Sequence, residues 1–423
     1  GNEKKILKQS ACNRASLAPV SYYKPPRTNV SPEMRPIVVG FGPAGMFAAL
    51  VLAMAGLRPI VLERGKDAVS CHADVQRFFE TGELDPKSNV QFGEGGAGTF
   101  SDGKLYSRSK KRGNMQRVME LFHHFGAADS VLYEAHAHIG SDKLPSIIRA
   151  MRECIIQYGG EVHFESCVDA ILLRKLLSDS SLLGVILAIG HSAHDTYQML
   201  VNEGVLLENK GFAMGVRAEH PQALINRLMY HDPSEELLHL IGNASYSLVT
   251  QVQGRGVYSF CMCPGGHIVP AGSNAHGCVV NGMSASHRNS PFANSGMVVE
   301  IRPEDLASLG VGDSTLAGLR FQQYLEQLAF AHGSIPSIAP AQRLLDFVEG
   351  RSSKTLPACS YLPGVRSSRM HEWLPEHIGK RLQQGFRDFD RKYRGFLTNE
   401  AIILGVESRS SSSVRLPRDP ETL

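Results

Sequence analysis

Three closely spaced glycines, Gly40, Gly42 and Gly45, follow the apolar run 37–39. An apolar helical pattern comes next, and a second apolar run ends in Glu63. Gly40 permits a tight turn, Gly42 allows a ligand to approach the backbone, and Gly45 allows a helix and a strand to pack closely. The order of strand, glycine turn, helix, strand and acid favours a bound dinucleotide. Its pyrophosphate would lie at the helix N-terminus, with a ribose hydroxyl on Glu63.

Two other interpretations of this segment remain open. One is a glycine-rich turn that binds no ligand. The other is a membrane span, because no charged residue lies between Arg35 and Arg58 and such a run is long enough to cross a bilayer. The interruption at 40–43 and the apolar run after Pro59 favour a buried parallel sheet instead.

A second glycine-dense segment spans residues 93–104 and contains five glycines. So many glycines do not occur inside a helix or strand, and they allow a ligand to approach the backbone. Phe92, Phe100 and Asp102 in and beside this segment favour a ligand-binding loop over a flexible surface loop.

Cys261 and Cys263 lie two residues apart in a predicted strand and would therefore face the same side. A redox-active cysteine needs a lowered pKa and access, so the pair could meet a cofactor or a disulfide substrate. The alternative is two small buried core residues.

His191 follows a predicted strand end, where functional groups concentrate in open α/β sheets, and is a candidate proton donor. His191 and His194 have a spacing that could share one helical face. A metal site would need further ligands, and we predict none.

The elements that must position these residues differ between the two halves of the chain. The first half predicts helices over 67–84, 114–126, 143–159 and 194–203 and strands over 161–164, 168–173 and 185–190. From about residue 211, strand-like runs follow one another without intervening helices, which indicates an antiparallel or mixed sheet. Helices are predicted over 315–331 and 369–387, and a strand over 396–406.

We therefore expect an α/β fold. It combines a Rossmann-like domain, a parallel sheet with helices, with a β-rich domain built on a mixed sheet. The expected divisions are an N-terminal extension over 1–35, the Rossmann-like domain over 36–210, a substrate or cap domain over 211–395, and a return to the first domain over 396–423.

Bulk properties narrow the class of protein. The 423 residues suggest two or more domains. The net charge of +3 is too small to imply a nucleic acid or membrane partner. Eight cysteines without a CxxC pair argue against a disulfide framework or a zinc ribbon and favour a cytoplasmic protein. One basic cluster stands out, as either a solvated loop or an anion-binding rim: Lys104, Arg108, Lys110, Lys111, Arg112 and Arg117.

The glycine turn, Glu63-Arg64 and the segment 186–190 together resemble the glutathione-reductase-type FAD flavoproteins. Longer segments resemble the uncharacterised bacterial FAD-dependent dehydrogenases, which are large cytosolic flavoproteins. These segments are 91–105, 186–197, 256–272, 279–296, 339–351 and 395–423.

The resemblance implies a set of cofactor-binding residues. They are Gly40, Gly42, Pro43, Ala44, Gly45, Glu63, Arg64, Gly95, Gly96, Gly98, Thr99, Asp102, Gly103, Lys104, Val168, Ala188, Gly190 and His191. The turn would bind the FAD pyrophosphate, and the residues from Gly95 to Gly103 would line the flavin side. Val168 would contact adenine through its backbone, and Gly190 would close the adenosine site.

The implied activity is that of an FAD-dependent oxidoreductase that transfers hydride between flavin and a small-molecule substrate. Candidate catalytic residues are His191, Cys261, Cys263 and Arg409. NAD(P)H is a possible transient electron donor, although no second glycine fingerprint follows residue 65 to form a domain for it. The alternative is a non-catalytic flavin- or nucleotide-binding protein, or an RNA-associated flavoprotein.

The chain is shorter than the family that it resembles at two places. That family has more residues around 169–185, and it continues past Leu423 into a glycine-rich motif. We therefore expect a shortened 169–185 segment and a chain truncated at Leu423.

Overall fold

The computed structural model describes residues 24, 28–31, 33–105, 113–172, 182–311, 314–333 and 337–418. Most of the N-terminal extension, most of the basic cluster (Arg108, Lys110, Lys111 and Arg112), residues 173–181 and the end at Leu423 lie outside the described residues. The predictions made for these parts of the chain stay predictions.

The strands and helices of the described residues are as follows. The strands are β1 Arg35–Val39, β2 Ile60–Leu62, β3 Glu161–His163, β4 Leu182–Leu187, β5 Glu208–Asn209, β6 Phe212–Pro221, β7 Val249–Val252, β8 Arg255–Cys263, β9 His267–Pro270, β10 Val280–Met283, β11 Phe292–Ile301, β12 Ala339–Arg343, β13 Val365–Ser367, β14 Ile402–Glu407 and β15 Val414–Arg415. The helices are α1 Pro43–Met54, α2 Ala68–Thr81, α3 Met115–His124, α4 Leu144–Gln157, α5 His194–Asn202, α6 Gln222–Tyr230, α7 Glu235–Ile241, α8 Ala317–Gly333, α9 Leu344–Glu349, α10 Met370–Trp373 and α11 Glu376–Lys392.

The first region is built on a four-stranded parallel sheet in the order β3-β2-β1-β4. In its core, Val38 of β1 and Leu50 of α1 pack with Ile147, Met151 and Ile155 of α4. All five side chains are nearly inaccessible to solvent. The four- and eight-residue spacing in α4 places these side chains on one helical face. This packing fixes α1 against the sheet, with its N-terminus at the carboxyl end of β1.

The second region is built on a seven-stranded mixed sheet in the order β13-β12-β14-β6-β11-β8-β7. Strand β6 is buried along nearly its whole length because β14 and β11 pair with its two edges. Helix α11 covers the sheet with Ile378, Leu382, Phe386 and Phe389, which recur at helical spacing. A parallel sheet with helices and a large mixed sheet therefore agree with the expected α/β architecture.

Several predicted elements were wrong. No strand occupies 168–172, although its apolar residues suggested one, because this segment pairs with no strand of the sheet. Helices α6 and α7 interrupt the run of strands in the second region. The predicted helix over 369–387 is divided at Pro375, which has an extended backbone and lacks an N–H group.

Residues 396–418 contribute to both regions, where we expected a return to the first domain. Strand β14 begins only at Ile402 and lies inside the seven-stranded sheet, between β12 and β6. Strand β15 pairs with β5 instead, and Leu416 lines a cavity of the first region. The domain boundaries themselves stay a prediction.

Candidate functional site

A cavity of about 440 Å³ lies at the carboxyl ends of the parallel strands. Val39, Leu62 and Leu187, the last residues of β1, β2 and β4, all line it. Ligands of open parallel α/β sheets bind at this edge, outside the carboxyl ends of the strands. The cavity is therefore the first place to test for a ligand.

The N-terminus of α1 opens into this cavity. Gly42 is its N-cap, and no side chain of the described residues caps the helix. The N–H groups of Ala44 and Gly45, in the first helical turn, have no partner within the helix. Together with the helix dipole, such free N–H groups favour an anion.

The three glycines of the turn have different constraints. Gly40 has φ of +95°, which favours glycine. A Cβ on Gly45 would lie 1.9 Å from the Gly40 carbonyl oxygen, so the helix packs too closely there for a side chain. Gly42 has φ of −70°, and a Cβ there would meet no atom closer than Gly96 Cα at 4.0 Å. Neither backbone conformation nor packing requires glycine at 42, and its missing side chain leaves space in the cavity.

Glu63 is buried at the wall of the cavity and organises the backbone around it. Its carboxylate accepts hydrogen bonds from the N–H groups of Phe41 at 2.7 Å, Gly65 at 2.9 Å and Gly93 at 3.0 Å. Desolvation raises the pKa of Glu63, and these three N–H groups oppose that shift. A carboxylate offers about four lone-pair positions, so one remains for a ligand hydroxyl.

The far end of the cavity is bordered by Val168, Ala188, Gly190 and His191. The Nε2 atom of His191 is buried and has no hydrogen-bond partner among the described residues. Burial, followed by the charge of Arg409, lowers the pKa of His191 to about 4, so the imidazole is neutral at pH 7. As a proton donor it would therefore act from its neutral form. His191 precedes α5, so it does not share a helical face with His194.

Arg64 is held beside the cavity by contacts with the start of α5 and with the ring of Phe92. Its guanidinium contacts Asp195 at 3.1 Å and Thr196 at 2.9 Å, and it stacks over the Phe92 ring at 4.5 Å. Arg64 therefore supports the wall formed by the start of α5.

A second, largely apolar cavity of about 370 Å³ adjoins the first and shares Pro43 and Gly98 with it. Its other lining residues include Met46, Phe47, Gly95, Ser101, Gly103, Lys104, Leu105 and Phe122. The glycine-dense loop therefore separates two cavities, and Lys104 brings a cation to the second one.

The glycine-dense loop is fixed to the second region by charge. The buried Asp102 carboxylate contacts Lys104 at 2.6 Å and Arg288 at 2.7 Å. Desolvation would raise the pKa of Asp102, but the two cations outweigh it and lower the pKa. Thr99, on the same loop, is fully buried and donates to the Glu94 carbonyl oxygen at 2.6 Å.

Lys104 also lies beside both candidate cysteines, with its Nζ 4.0 Å from the Cys261 sulfur and 3.8 Å from the Cys263 sulfur. On the other side is Arg217, which is fully buried and pairs with Glu407 at 2.9 Å. Sequence reasoning missed Arg217, because a single arginine within a strand gives no sign of its partners.

Arg409 is buried in an ion pair with Glu326, at 2.7 and 2.9 Å. It also contacts His194 Nε2 at 3.1 Å. Burial and then Arg409 lower the pKa of His194 to about 3, so this histidine is neutral. Glu326 was not singled out from the sequence either, since its partner lies 83 positions along the chain.

The structure thus divides the predicted site residues into groups. The residues that line the first cavity are Gly40, Gly42, Pro43, Ala44, Glu63, Arg64, Gly96, Gly98, Val168, Ala188, Gly190 and His191. Gly95, Gly103 and Lys104 line the second cavity, and Cys261 and Cys263 lie beyond Lys104. Residues of the first cavity that sequence reasoning missed include Gln91, Ser166, Ser192 and Tyr197. The Ser192 hydroxyl donates to the side-chain amide oxygen Oε1 of Gln91 at 2.9 Å, a contact across 101 positions.

Fold and site together define a two-region α/β protein with a glycine turn at the carboxyl edge of a parallel sheet. Residues 211–410 match the family described as FAD-dependent protein, C-terminal domain-like. An uncharacterised protein of Clostridium beijerinckii is 43% identical over 400 residues, which cover 92% of this chain and 74% of that protein. The chain belongs to the family of this protein.

Three solved structures share a distant similarity with the chain. The amino acid oxidase NikD of nikkomycin biosynthesis gives a TM-score of 0.30 at 13% identity, covering 70% of this chain and 77% of its own. The structure of CtdE in complex with FAD gives a TM-score of 0.25 at 11% identity, covering 72% of this chain and 69% of its own. An oxidoreductase from Methanosarcina mazei gives a TM-score of 0.26 at 14% identity, covering 70% of this chain and 84% of its own. At these values the likeness carries no conclusion about function.

No helix among the described residues combines the length and the apolar character needed to span a bilayer.

Proposed function

We propose that the protein is an FAD-dependent oxidoreductase that binds FAD in the cavity at the carboxyl ends of β1, β2 and β4. The observation that carries this proposal is the open space at Gly42, in front of the uncapped N-terminus of α1. A dinucleotide pyrophosphate is the anion that such a turn accommodates. The family description of residues 211–410 supports FAD as the dinucleotide.

The residues present fit the two polar parts of the adenosine half. The N–H groups of Ala44 and Gly45 would bind the pyrophosphate, and the remaining lone-pair position of Glu63 would accept a ribose hydroxyl. His191 Nε2, buried without a partner among the described residues, offers a further polar contact. The backbone at Val168 and Gly190 would border the adenine.

The flavin end would lie toward the glycine-dense loop and the second cavity. That cavity is mostly apolar, which suits a flat ring system. When bound, FAD supplies hydride transfer, and the protein supplies binding, orientation and electrostatics. Gly95 and Gly98 line this cavity, so their backbone would border the ring, and Asp102 holds Lys104 at the edge of the cavity.

A substitution at Gly42 tests the proposal. In Gly42→Ala, the added Cβ fits the protein but occupies the space in front of α1. We expect FAD to bind at least about tenfold more weakly, equivalent to about 1.4 kcal/mol, while the urea midpoint of the FAD-free protein is unchanged. The measurement is the titration of FAD-free protein with FAD, followed by flavin fluorescence.

Gly379→Ala is the matched control. Gly379 lies inside α11, and a Cβ there meets only Leu374 atoms at 3.6 Å or more. FAD should bind this variant as tightly as the unmodified protein. Equal FAD affinity of the Gly42→Ala variant and the unmodified protein would contradict the proposed site.

A further inference from the structure

Cys261 and Cys263 occupy an irregular end of β8. The pairing of β8 with β11 shifts register between Asn294 and Gly296, which leaves an extra residue in β8. Cys261 has φ of +46°, in the left-handed region that a cysteine rarely adopts. Strained backbone of this kind persists only where the surroundings impose it, and it concentrates at functional sites.

The bulge also changes the distance between the two residues. In a regular strand, residues two apart are separated by about 6.6 Å, near the upper limit for a disulfide. A bulge bends the strand, which brings such a pair within the range of a disulfide. The Cys263 sulfur lies 3.3 Å from the Cys261 carbonyl oxygen, so the two residues are folded against each other.

Positive charge surrounds the pair. Lys104 Nζ lies about equally far from both sulfurs, and an Arg217 guanidinium nitrogen lies 3.5 Å from the Cys263 sulfur and 2.7 Å from the Cys261 carbonyl oxygen. Two carboxylates of the described residues lie nearby, and each is already paired with a cation: Glu407 with Arg217, and Asp102 with Lys104. A thiolate formed here would be stabilised by both cations.

The two thiols are not equivalent. Cys261 is partly exposed, whereas Cys263 is fully buried. The hydrogen bond with the Cys263 thiol lowers the pKa of Cys261; burial opposes this shift, and Lys104 and Arg217 reinforce it. The same hydrogen bond and burial raise the pKa of Cys263. Cys261 therefore has the properties of an attacking thiolate, and Cys263 those of a resolving thiol.

We propose that Cys261 and Cys263 form a redox-active dithiol that exchanges with small disulfides, with Cys261 as the nucleophile and Cys263 as the resolving residue. This proposal goes beyond the FAD-dependent activity and does not depend on it.

The exchange proceeds in two balanced steps. The Cys261 thiolate attacks one sulfur of a disulfide R–S–S–R; a Cys261–SR bond forms, the substrate S–S bond breaks, and the RS⁻ released takes a proton from water. The Cys263 thiol then loses its proton to water and attacks the Cys261 sulfur. The Cys261–SR bond breaks, and the second RS⁻ leaves and is protonated. The dithiol is oxidised by two electrons to a Cys261–Cys263 disulfide, and R–S–S–R is reduced to two RSH.

Alkylation of the protein tests whether Cys261 is the nucleophile. Iodoacetamide labelling at several pH values, with peptide mass mapping, gives a rate for each cysteine in one experiment. We expect Cys261 to react fastest at pH 7, with a half-maximal rate at a pH below the ordinary thiol value of about 8.5. Cys154, which is partly exposed and whose pKa is raised by burial, is the internal reference. In Lys104→Gln, the half-maximal pH for Cys261 should rise, because one of the two cations is lost.

Reaction with glutathione disulfide tests whether Cys261 and Cys263 act together as a dithiol. The reduced protein should lose two hydrogens in mass and yield a cross-linked peptide that contains both cysteines. Cys263→Ser should stop at a glutathione adduct on Cys261, and Cys261→Ser should leave Cys263 unmodified. The proposal is overturned if Cys154 reacts at pH 7 as fast as Cys261, or if glutathione disulfide produces no cross-linked peptide. Neither readout involves FAD, so failure here is distinguishable from failure of the proposed FAD site.

Discussion

At the scale of single residues, the glycine turn shows that identical residues carry different constraints. Gly40 is fixed by its backbone conformation and Gly45 by its contact with the Gly40 carbonyl, while Gly42 is free of both. Substitutions in the turn should therefore separate folding from binding.

Gly45→Ala should destabilise the protein itself. The new Cβ would lie 1.9 Å from a backbone oxygen and 3.3 Å from Ala188 Cβ, so α1 must move away from the sheet. Overpacking of this kind costs about 1–3 kcal/mol. Urea unfolding of the FAD-free protein should show the loss for Gly45→Ala and none for Gly42→Ala. Equal stability of the two variants would contradict this distinction.

Part of the turn's chemistry could be predicted from sequence, because the spacing of the glycines and Glu63 is local. The contacts of Glu63 with Gly93, and of Lys104 with Cys261 and Cys263, join positions 30 to 159 residues apart. Such contacts depend on how the sheets pack against each other, which no local pattern specifies.

At the scale of elements, the buried charges of β6 are the least expected feature. Glu219 lies on this strand and accepts hydrogen bonds from both the N–H and the hydroxyl of Ser360. Its neighbour Arg217 is directed to Glu407 of β14. The apolar pattern predicted the strand, but it did not predict that the strand buries three ionisable groups, Arg217, Glu219 and His220.

Glu219 should make stability depend on pH. Burial raises the pKa of Glu219 from 4.5 to about 7, against the Ser360 hydrogen bonds. Because the fold favours the protonated form, the contribution is fully present below pH 4.5 and is lost as the pH rises through about 7. The loss is of the order of 3 kcal/mol, at about 1.36 kcal/mol per pKa unit.

The test compares urea unfolding of the unmodified protein and Glu219→Gln from pH 4.5 to 8. The glutamine amide is neutral at every pH in this range, so the variant should not show the loss of stability that Glu219 causes as the pH rises through about 7. Glu134→Gln, at an exposed position, should retain it. The same decline in the unmodified protein and Glu219→Gln would contradict the prediction.

Other elements show why sequence prediction failed where it did. The apolar residues of 168–172 suggested a strand but have no neighbouring strand to pair with, because β4 takes the place beside β1. Helices α6 and α7 were missed between strand patterns because each is short, at nine and seven residues. By contrast, α4 and α5 were predicted because their apolar residues recur at helical spacing.

At the scale of the whole molecule, a small apolar core joins the two regions. Phe78 and Val75 of α2 pack with Val269 of β9 and with Val279. Asp102 with Arg288 and Asp142 with Ser286 add polar links across the same boundary. This boundary contains the glycine-dense loop that borders both cavities.

Phe78→Ala should weaken the association of the two regions. Truncation of a buried phenylalanine costs about 3–5 kcal/mol, and here the loss falls between the regions. Calorimetry should show one unfolding transition for the unmodified protein and two for the variant. Phe386→Ala, inside the core of the second region, is the control and should lower the midpoint without dividing the transition. A single transition for Phe78→Ala would show that the two regions are held together by other contacts.

The most direct test of the central claim is to identify the cofactor. The purified protein, supplied with FAD and freed of excess, is examined by visible absorbance, and the cofactor released on denaturation is identified by chromatography. The account predicts a flavin spectrum and about one FAD per chain. A colourless protein that retains no flavin, or one that retains NAD in its place, would contradict it.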